Sequence, residues 1–262
     1  MLHTTSLGQD GPRVAFCHGL FGQGKNFTQL AKDLAADHRV TLIDLPDHGR
    51  SPWSTSFSYV GMADQVAEAL VGIGGDEPWA LVGHSMGAKT AMLLALRRPE
   101  LVDRLAVVDM SPVAYRGRTV FEDYVAGMRS LPLDRLSGRA EADELLRPAV
   151  PEATVRAFLL QNLRRDDDGG FRWQMNLALL GDSLDALAGW PADEIEPGRT
   201  YDGPVLWLAG AESRYVRPEF GDAMRGYFPR TRLITVKGAG HWVHSEQPAI
   251  FTAAMRQFLA AR

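Results

Sequence analysis

The sequence predicts an α/β fold, a mostly parallel sheet covered by helices on both faces, and three observations predict it. Short apolar runs of strand length alternate with segments that are apolar at helical spacing, which is the pattern of strands buried on both sides and joined by helices. A length of 262 residues with 45% apolar and 23% charged residues suits one large α/β domain, or such a domain carrying an insertion. One apolar run, Trp79-Ala80-Leu81-Val82, leads through Gly83-His84-Ser85-Met86-Gly87 into a helical segment. Two glycines flanking a serine let a strand turn sharply into a helix and leave the hydroxyl exposed at the sheet's edge.

The elements follow in order. Arg13 to Cys17 is a strand that ends in His18-Gly19-Leu20-Phe21-Gly22, and Asn26 to Leu34 carries apolar residues at helical spacing. Val40 to Leu45 is a second strand, closed by the turn-rich Pro46-Asp47-His48-Gly49-Arg50-Ser51-Pro52. A helix over Tyr59 to Val71 presents Met62, Val66, Ala69 and Leu70 on one face. After the glycine-flanked serine, Ala88 to Leu96 is small and apolar and is stopped by Arg97-Arg98-Pro99. Leu105 to Val108 is the next strand, followed by Asp109-Met110-Ser111-Pro112. From 113 to 201 the alternation stops, and helical patterns dominate over Thr119–Arg129, Ala140–Leu146, Glu152–Leu163 and Asn176–Leu187. This block reads as a helical insertion, leaving 1–112 and 202–262 as the core. Alternation resumes with Val205 to Gly210, a helix near Pro218 to Tyr227, the strand Arg232 to Val236, the turn Gly238-Ala239-Gly240 with His241, and a last helix over Gln247 to Leu259.

Composition removes several classes of partner. A net charge of −4 and the absence of a basic stripe with interleaved aromatics argue against nucleic acid. The single cysteine, Cys17, lies in an apolar run and reads as a buried structural thiol, which permits a reducing compartment. No stretch has the apolar length to span a bilayer and no leader pattern opens the chain, so a soluble cytoplasmic protein is expected. No zinc-type ligand spacing and no phosphate-binding glycine loop is found, so neither metal nor cofactor is expected. Neither monomer nor dimer is favoured.

Taken together, His18-Gly19-Leu20-Phe21-Gly22, Asp47-His48-Gly49-Arg50-Ser51, Gly83-His84-Ser85-Met86-Gly87, Asp109-Met110-Ser111-Pro112 and Gly240-His241-Trp242-Val243-His244 occur in the order seen in α/β-hydrolases. Over essentially its full length the chain resembles the small bacterial carboxylesterases and their mitochondrial abhydrolase-domain relatives. The resemblance implies an eight-stranded, mostly parallel sheet, a helical cap over the serine, and hydrolysis of small-molecule esters or thioesters of modest acyl length. Acyl transfer or cleavage of a carbon–carbon bond on the same residues is the alternative, with a non-catalytic ligand receptor behind both.

A serine hydroxyl is a poor nucleophile at neutral pH and needs an adjacent base, itself oriented by an acid. Ser85 is therefore expected to be the nucleophile and His241, just past the last strand, the base; the chain order serine, acid, histidine agrees. His244 is its nearest rival and reads as a surface or capping residue. His84 reads as a packing residue facing away from the site, His18 and His48 as residues that order their own turns, and His3 and His38 as exposed. The acid stays open between Asp109, where the resembling carboxylesterases carry it, and Glu212, which follows the strand after the insertion. Backbone N–H groups of Met86 and Leu20, with Phe21 as a further candidate, are expected to hold the oxyanion. Trp242 and Phe21, joined by Phe171 and Trp173, are candidates for an apolar pocket wall, while Trp207 reads as core. The charged run Arg164 to Asp168 reads as a solvated loop without a function.

Overall fold

The computed structural model describes residues 1–260. In chain order it contains β1 (Thr4–Leu7), β2 (Arg13–Cys17), α1 (Thr28–Leu34), β3 (Arg39–Ile43), α2 (Tyr59–Gly74), β4 (Trp79–His84), α3 (Met86–Arg97) and β5 (Val102–Val108). There follow α4 (Val120–Arg129), α5 (Arg139–Leu146), α6 (Ala153–Leu160), β6 (Leu163–Arg165), β7 (Phe171–Trp173), α7 (Leu177–Asp182) and α8 (Leu184–Ala188). The chain closes with β8 (Val205–Gly210), α9 (Gly221–Tyr227), β9 (Thr231–Val236), α10 (Val243–Glu246) and α11 (Pro248–Ala260).

The main sheet has the order β1-β3-β2-β4-β5-β8-β9, parallel throughout except for β1, which runs antiparallel to β3. Its central strands are apolar on both faces because each face has its own helical cover. Cys17, Leu81, Val107 and Trp207 point to one side, where residues of α2, α3 and the β5–β8 connection pack on them. Phe16, Val82, Ala106 and Leu208 point to the other, under Leu30, Leu34, Phe251 and Met255 of α1 and α11. This two-residue alternation inside a continuous apolar run is the strand period seen from a doubly covered sheet.

The sheet has seven strands among the described residues, not the eight that the resemblance implied. The remaining strands, β6 and β7, pair with each other across the tight Asp166–Gly170 turn in a separate antiparallel ladder. A short local loop costs little entropy to close, so the pair forms there instead of extending the sheet. Edge strand β1 escaped the sequence reading because Thr4, Thr5 and Ser6 have only one neighbour to pair with and no apolar run. The block between β5 and β8 is thus helical with one hairpin. Its helix expected over Asn176–Leu187 is broken at Ser183 into α7 and α8, and the one expected over Glu152–Leu163 stops at Leu160 so that Leu163 can start β6. The chemistry of the helix starts is legible: Ser58 Oγ accepts from Gly61 N at the head of α2, and Thr119 and Glu122 form a reciprocal capping box on α4.

Candidate active site

Strands β4, β5, β8 and β9 are consecutive neighbours, and all four run the same way. The residues that leave their carboxyl ends therefore meet along one rim: Ser85 after β4, Asp109 after β5, Ser213 after β8 and His241 after β9.

Ser85 has φ 53° and ψ −118°, a positive φ that non-glycine residues avoid, at a cost of about 1–3 kcal/mol. The flanking glycines make the turn possible. A Cβ on Gly83 would lie 2.4 Å from the Gly87 carbonyl oxygen, and one on Gly87 would lie 2.4 Å from the carbonyl oxygens of Cys17 and His18. Serine at a helix N-cap ordinarily accepts a first-turn N–H. Here Oγ makes no capping bond and instead sits 2.9 Å from His241 Nε2. On the far side of the ring, His241 Nδ1 is 2.8 Å from Asp109 Oδ2. A carboxylate accepts only, so Nδ1 carries the ring proton and Nε2 presents its lone pair to the hydroxyl.

Asp109 is fully buried and also has a positive φ, 48°. Its Oδ1 accepts from Gly210 N at 3.0 Å, and its Oδ2 accepts from Ser213 Oγ as well as from the histidine. Glu212 does not join this chain. It is exposed, its backbone N–H goes to Ala239 O, and its carboxylate takes part in no hydrogen bond or ion pair among the described residues.

The backbone N–H groups of Leu20 and Met86 have no acceptor among the described residues, and both residues line a cavity together with Ser85. Phe21 meets neither expectation. Its N–H donates to His48 Nε2 at 3.1 Å and is not free to meet an oxyanion. Its ring is fully buried, packed edge-on against Phe121, so it backs the pocket wall without lining it. His18 and His48 hold this loop: His18 Nδ1 donates to Gly19 O and Nε2 accepts from Leu45 N, while His48 Nδ1 donates to Pro46 O. Burial pushes both rings below the usual histidine range, for His18 well below it and with help from His48, so both act as neutral, fixed connectors.

Two clefts meet at Ser85. One is mainly apolar, with Met86, Met110, Tyr115, Leu184 and Leu187 among its walls. The other runs past His84, Phe158, Trp242 and His244. Trp242 thus borders the site as expected, whereas Phe171 and Trp173 border neither cleft. Lys89, one turn into α3 from Ser85, is fully buried, and its ammonium donates to the carbonyls of Leu187, Ala188 and Gly189. Tyr59 Oη donates to the Leu187 carbonyl as well. The end of α8 that walls the apolar cleft is tied by these bonds to the serine's own helix, through Lys89, and to α2, through Tyr59.

Three histidines depart from the sequence reading. His84 does not face away: its ring centroid is 4.8 Å from that of His241, and its Nε2 is 2.9 Å from the His241 carbonyl oxygen, buttressing that loop. His244 is not a surface residue; its ring packs against His84 and Phe27, its Nδ1 is buried without a partner, and burial pushes it down to about 4. His38 is buried beside Asp37. Ser213 was missed altogether. Its only sequence signal is adjacency to Glu212, the rival acid, in a turn after a strand. Burial raises the Cys17 thiol to about 12, consistent with an inert core residue. Among the described residues no group of three or more His, Cys, Asp or Glu side chains is arranged to hold a metal ion, and no helix is long and apolar enough to cross a membrane.

Known proteins share this architecture and much of this sequence. The sn-1-specific diacylglycerol lipase ABHD11 of Mus musculus is 42% identical over 255 residues, covering 95% of this chain and 81% of its own length. Esterase YbfF of Escherichia coli (strain K12) is 32% identical over 246 residues, covering 94% of this chain and 92% of its own. A solved marine microorganism esterase superposes with a TM-score of 0.94 at 30% identity, covering 98% of each chain. The family model for the alpha/beta hydrolase fold matches residues 12–248, which takes in every strand of the main sheet but β1 and both ends of the Ser85–His241 contact, so the chain belongs to the α/β-hydrolase family.

Proposed function

We propose that the chain cleaves carboxylic esters through an acyl-enzyme, with Ser85 as nucleophile, His241 as general base and then general acid, and Asp109 as the acid that orients and supports the imidazolium. The chain is a carboxylesterase-type hydrolase. The observation that carries the reading is the unbroken sequence of contacts Asp109 Oδ2, His241 Nδ1, His241 Nε2, Ser85 Oγ, at 2.8 and 2.9 Å. As Oγ attacks the ester carbonyl, its proton passes to Nε2, and the same proton then goes to the departing alkoxide. A water molecule repeats the two steps on the acyl-serine.

The charge that develops on the carbonyl oxygen needs donors that are already in place. The free N–H groups of Leu20 and Met86 fit that need, and each such donor is worth about 3–4 kcal/mol of transition-state stabilisation. The block between β5 and β8 serves as a cap: α8 supplies Leu184 and Leu187 to the apolar cleft, which suits an acyl chain of modest length. Names of the relatives, esterase and diacylglycerol lipase, agree with an ester as the bond cleaved.

A fluorophosphonate probe tests the reading directly. Wild-type protein is expected to be labelled stoichiometrically and Ser85→Ala not at all. Labelling that persists on the alanine variant would sink the proposal.

A further inference from the structure

Outside the ester site, five cationic side chains from four separate stretches of chain come together where the core meets the β5–β8 connection. Hydrogen bonds to shared partners bring them there. The Asp44 carboxylate accepts from the backbone N–H of both Gly24 and Arg50, which sets Lys25 and Arg50 side by side. Gln23 donates to Asn162, and Asn26 donates to Gln161, which docks residues 161–164 against the 23–26 turn. Arg139 donates to the carbonyl of Leu163, next to Arg164. In the β6–β7 ladder Arg164 stands directly opposite Arg172, and a directly opposed pair points to the same face.

Few carboxylates answer this charge. Asp44 sits beneath it with both oxygens engaged by backbone, and Asp166 reaches Arg172 only at 3.6 Å. Glu141, two residues after Arg139, is taken up by Ser137. Among the described residues no ion pair involves the side chains of Lys25, Arg50, Arg139 or Arg164, and those of Lys25, Arg50, Arg139 and Arg172 are exposed. The cations sense one another: after burial, Arg164 and Arg139 are the main influences lowering Lys25, and Arg139, Arg50 and Arg172 lower Arg164. In a chain of net charge −4, such a convergence is a locally unfavourable arrangement that a multiply charged anion would relieve.

We propose that Lys25, Arg50, Arg139, Arg164 and Arg172 form a binding site for a phosphoryl anion across the junction of the core and the β5–β8 connection. Guanidinium groups match phosphate oxygens two at a time, and a carboxylate would leave most of this charge unanswered. A ligand held there contacts both parts of the molecule and braces the connection against the core. The phosphoryl group can belong to a soluble molecule or to a lipid headgroup. None of the five residues lines either cleft at Ser85, so the anion site is separate from the ester chemistry.

Isothermal titration with inorganic pyrophosphate at low ionic strength, and flotation with phosphatidylcholine vesicles with or without phosphatidic acid, separate the two sources. Wild type is expected to bind at least one probe, with an affinity that falls as salt rises. Binding of pyrophosphate alone assigns the site to a soluble ligand, and binding that requires phosphatidic acid assigns it to a headgroup. Lys25→Gln with Arg139→Gln is expected to weaken binding by about tenfold for each cation removed, while hydrolysis of p-nitrophenyl acetate stays unchanged and confirms folding. Arg225→Gln, on α9, and Ser85→Ala are expected to bind as wild type does. Failure of wild type to bind either probe, equal binding by the double variant, or loss of binding in Arg225→Gln or Ser85→Ala would each overturn the proposal.

Discussion

Asp109 and Glu212 are both carboxylates in turns that follow neighbouring strands, and the sequence alone leaves either within reach of His241. What separates them is the direction of one backbone turn. At Asp109 a positive φ swings the side chain inward, where Gly210 N, Ser213 Oγ and His241 Nδ1 converge on it; Glu212 faces solvent. If Asp109 is the acid, Asp109→Asn is expected to lower kcat/KM on p-nitrophenyl acetate by about 10⁴-fold, because an amide can donate to Nδ1 and stabilise the wrong tautomer. Glu212→Gln is expected to stay within about twofold, as an exposed substitution without partners should. Comparable losses in the two variants would contradict the assignment. The turns that carry Ser85 and His241 were legible because neighbouring glycines constrain them locally. Ser213 and His84 were not, since their partners are 104 and 157 residues away in the chain.

At the scale of elements, periodicity located the helices and central strands to within a few residues. It failed where pairing is local or one-sided, at β1 and at the β6–β7 hairpin. It also gave no sign that α3 and the end of α8 are fastened together. Lys89 looks like an exposed helix residue in sequence, yet it is fully buried with its ammonium on three carbonyls and near the rings of Tyr59 and Tyr115. Burial pushes that ammonium down to about 7. Lys89→Met keeps the bulk but leaves the carbonyls of Leu187 to Gly189 short of a donor, a loss of about 2 kcal/mol or about 4–8 °C in melting temperature. Because α8 walls the apolar cleft, KM for a longer p-nitrophenyl ester is expected to rise severalfold with kcat nearly unchanged. An unaltered KM would show that the fastening does not shape the pocket.

For the molecule as a whole, four buried histidines contribute to the response to acid. His18, His48, His84 and His244 all lie below the usual range, each mainly because burial disfavours the charged ring, with His244 at about 4. Below about pH 6.5 the unfolded chain takes up protons that the folded chain refuses. The stability these rings confer is therefore complete above pH 6.5 and is lost as pH falls toward 4, at up to about 1.4 kcal/mol per pH unit for each ring. Thermal melts between pH 8 and 4.5 are expected to show this decline. His244→Phe, which keeps the aromatic contacts with His84 and Phe27 and removes the unpartnered Nδ1, is expected to flatten it by about one proton. An unchanged slope would remove His244 from the set.

By itself the sequence determined the fold class, the position of the serine turn and that of the glycine turn before His241. Those features rest on near-neighbour constraints: apolar period, glycine where a Cβ would collide, and turn chemistry at strand ends. Only the tertiary structure decided which carboxylate meets His241, which N–H groups remain free, how α8 is fastened to α3 and how five cations come to share one face. Each of those depends on side chains far apart in the chain, and a one-dimensional pattern carries no record of the direction in which a buried side chain turns.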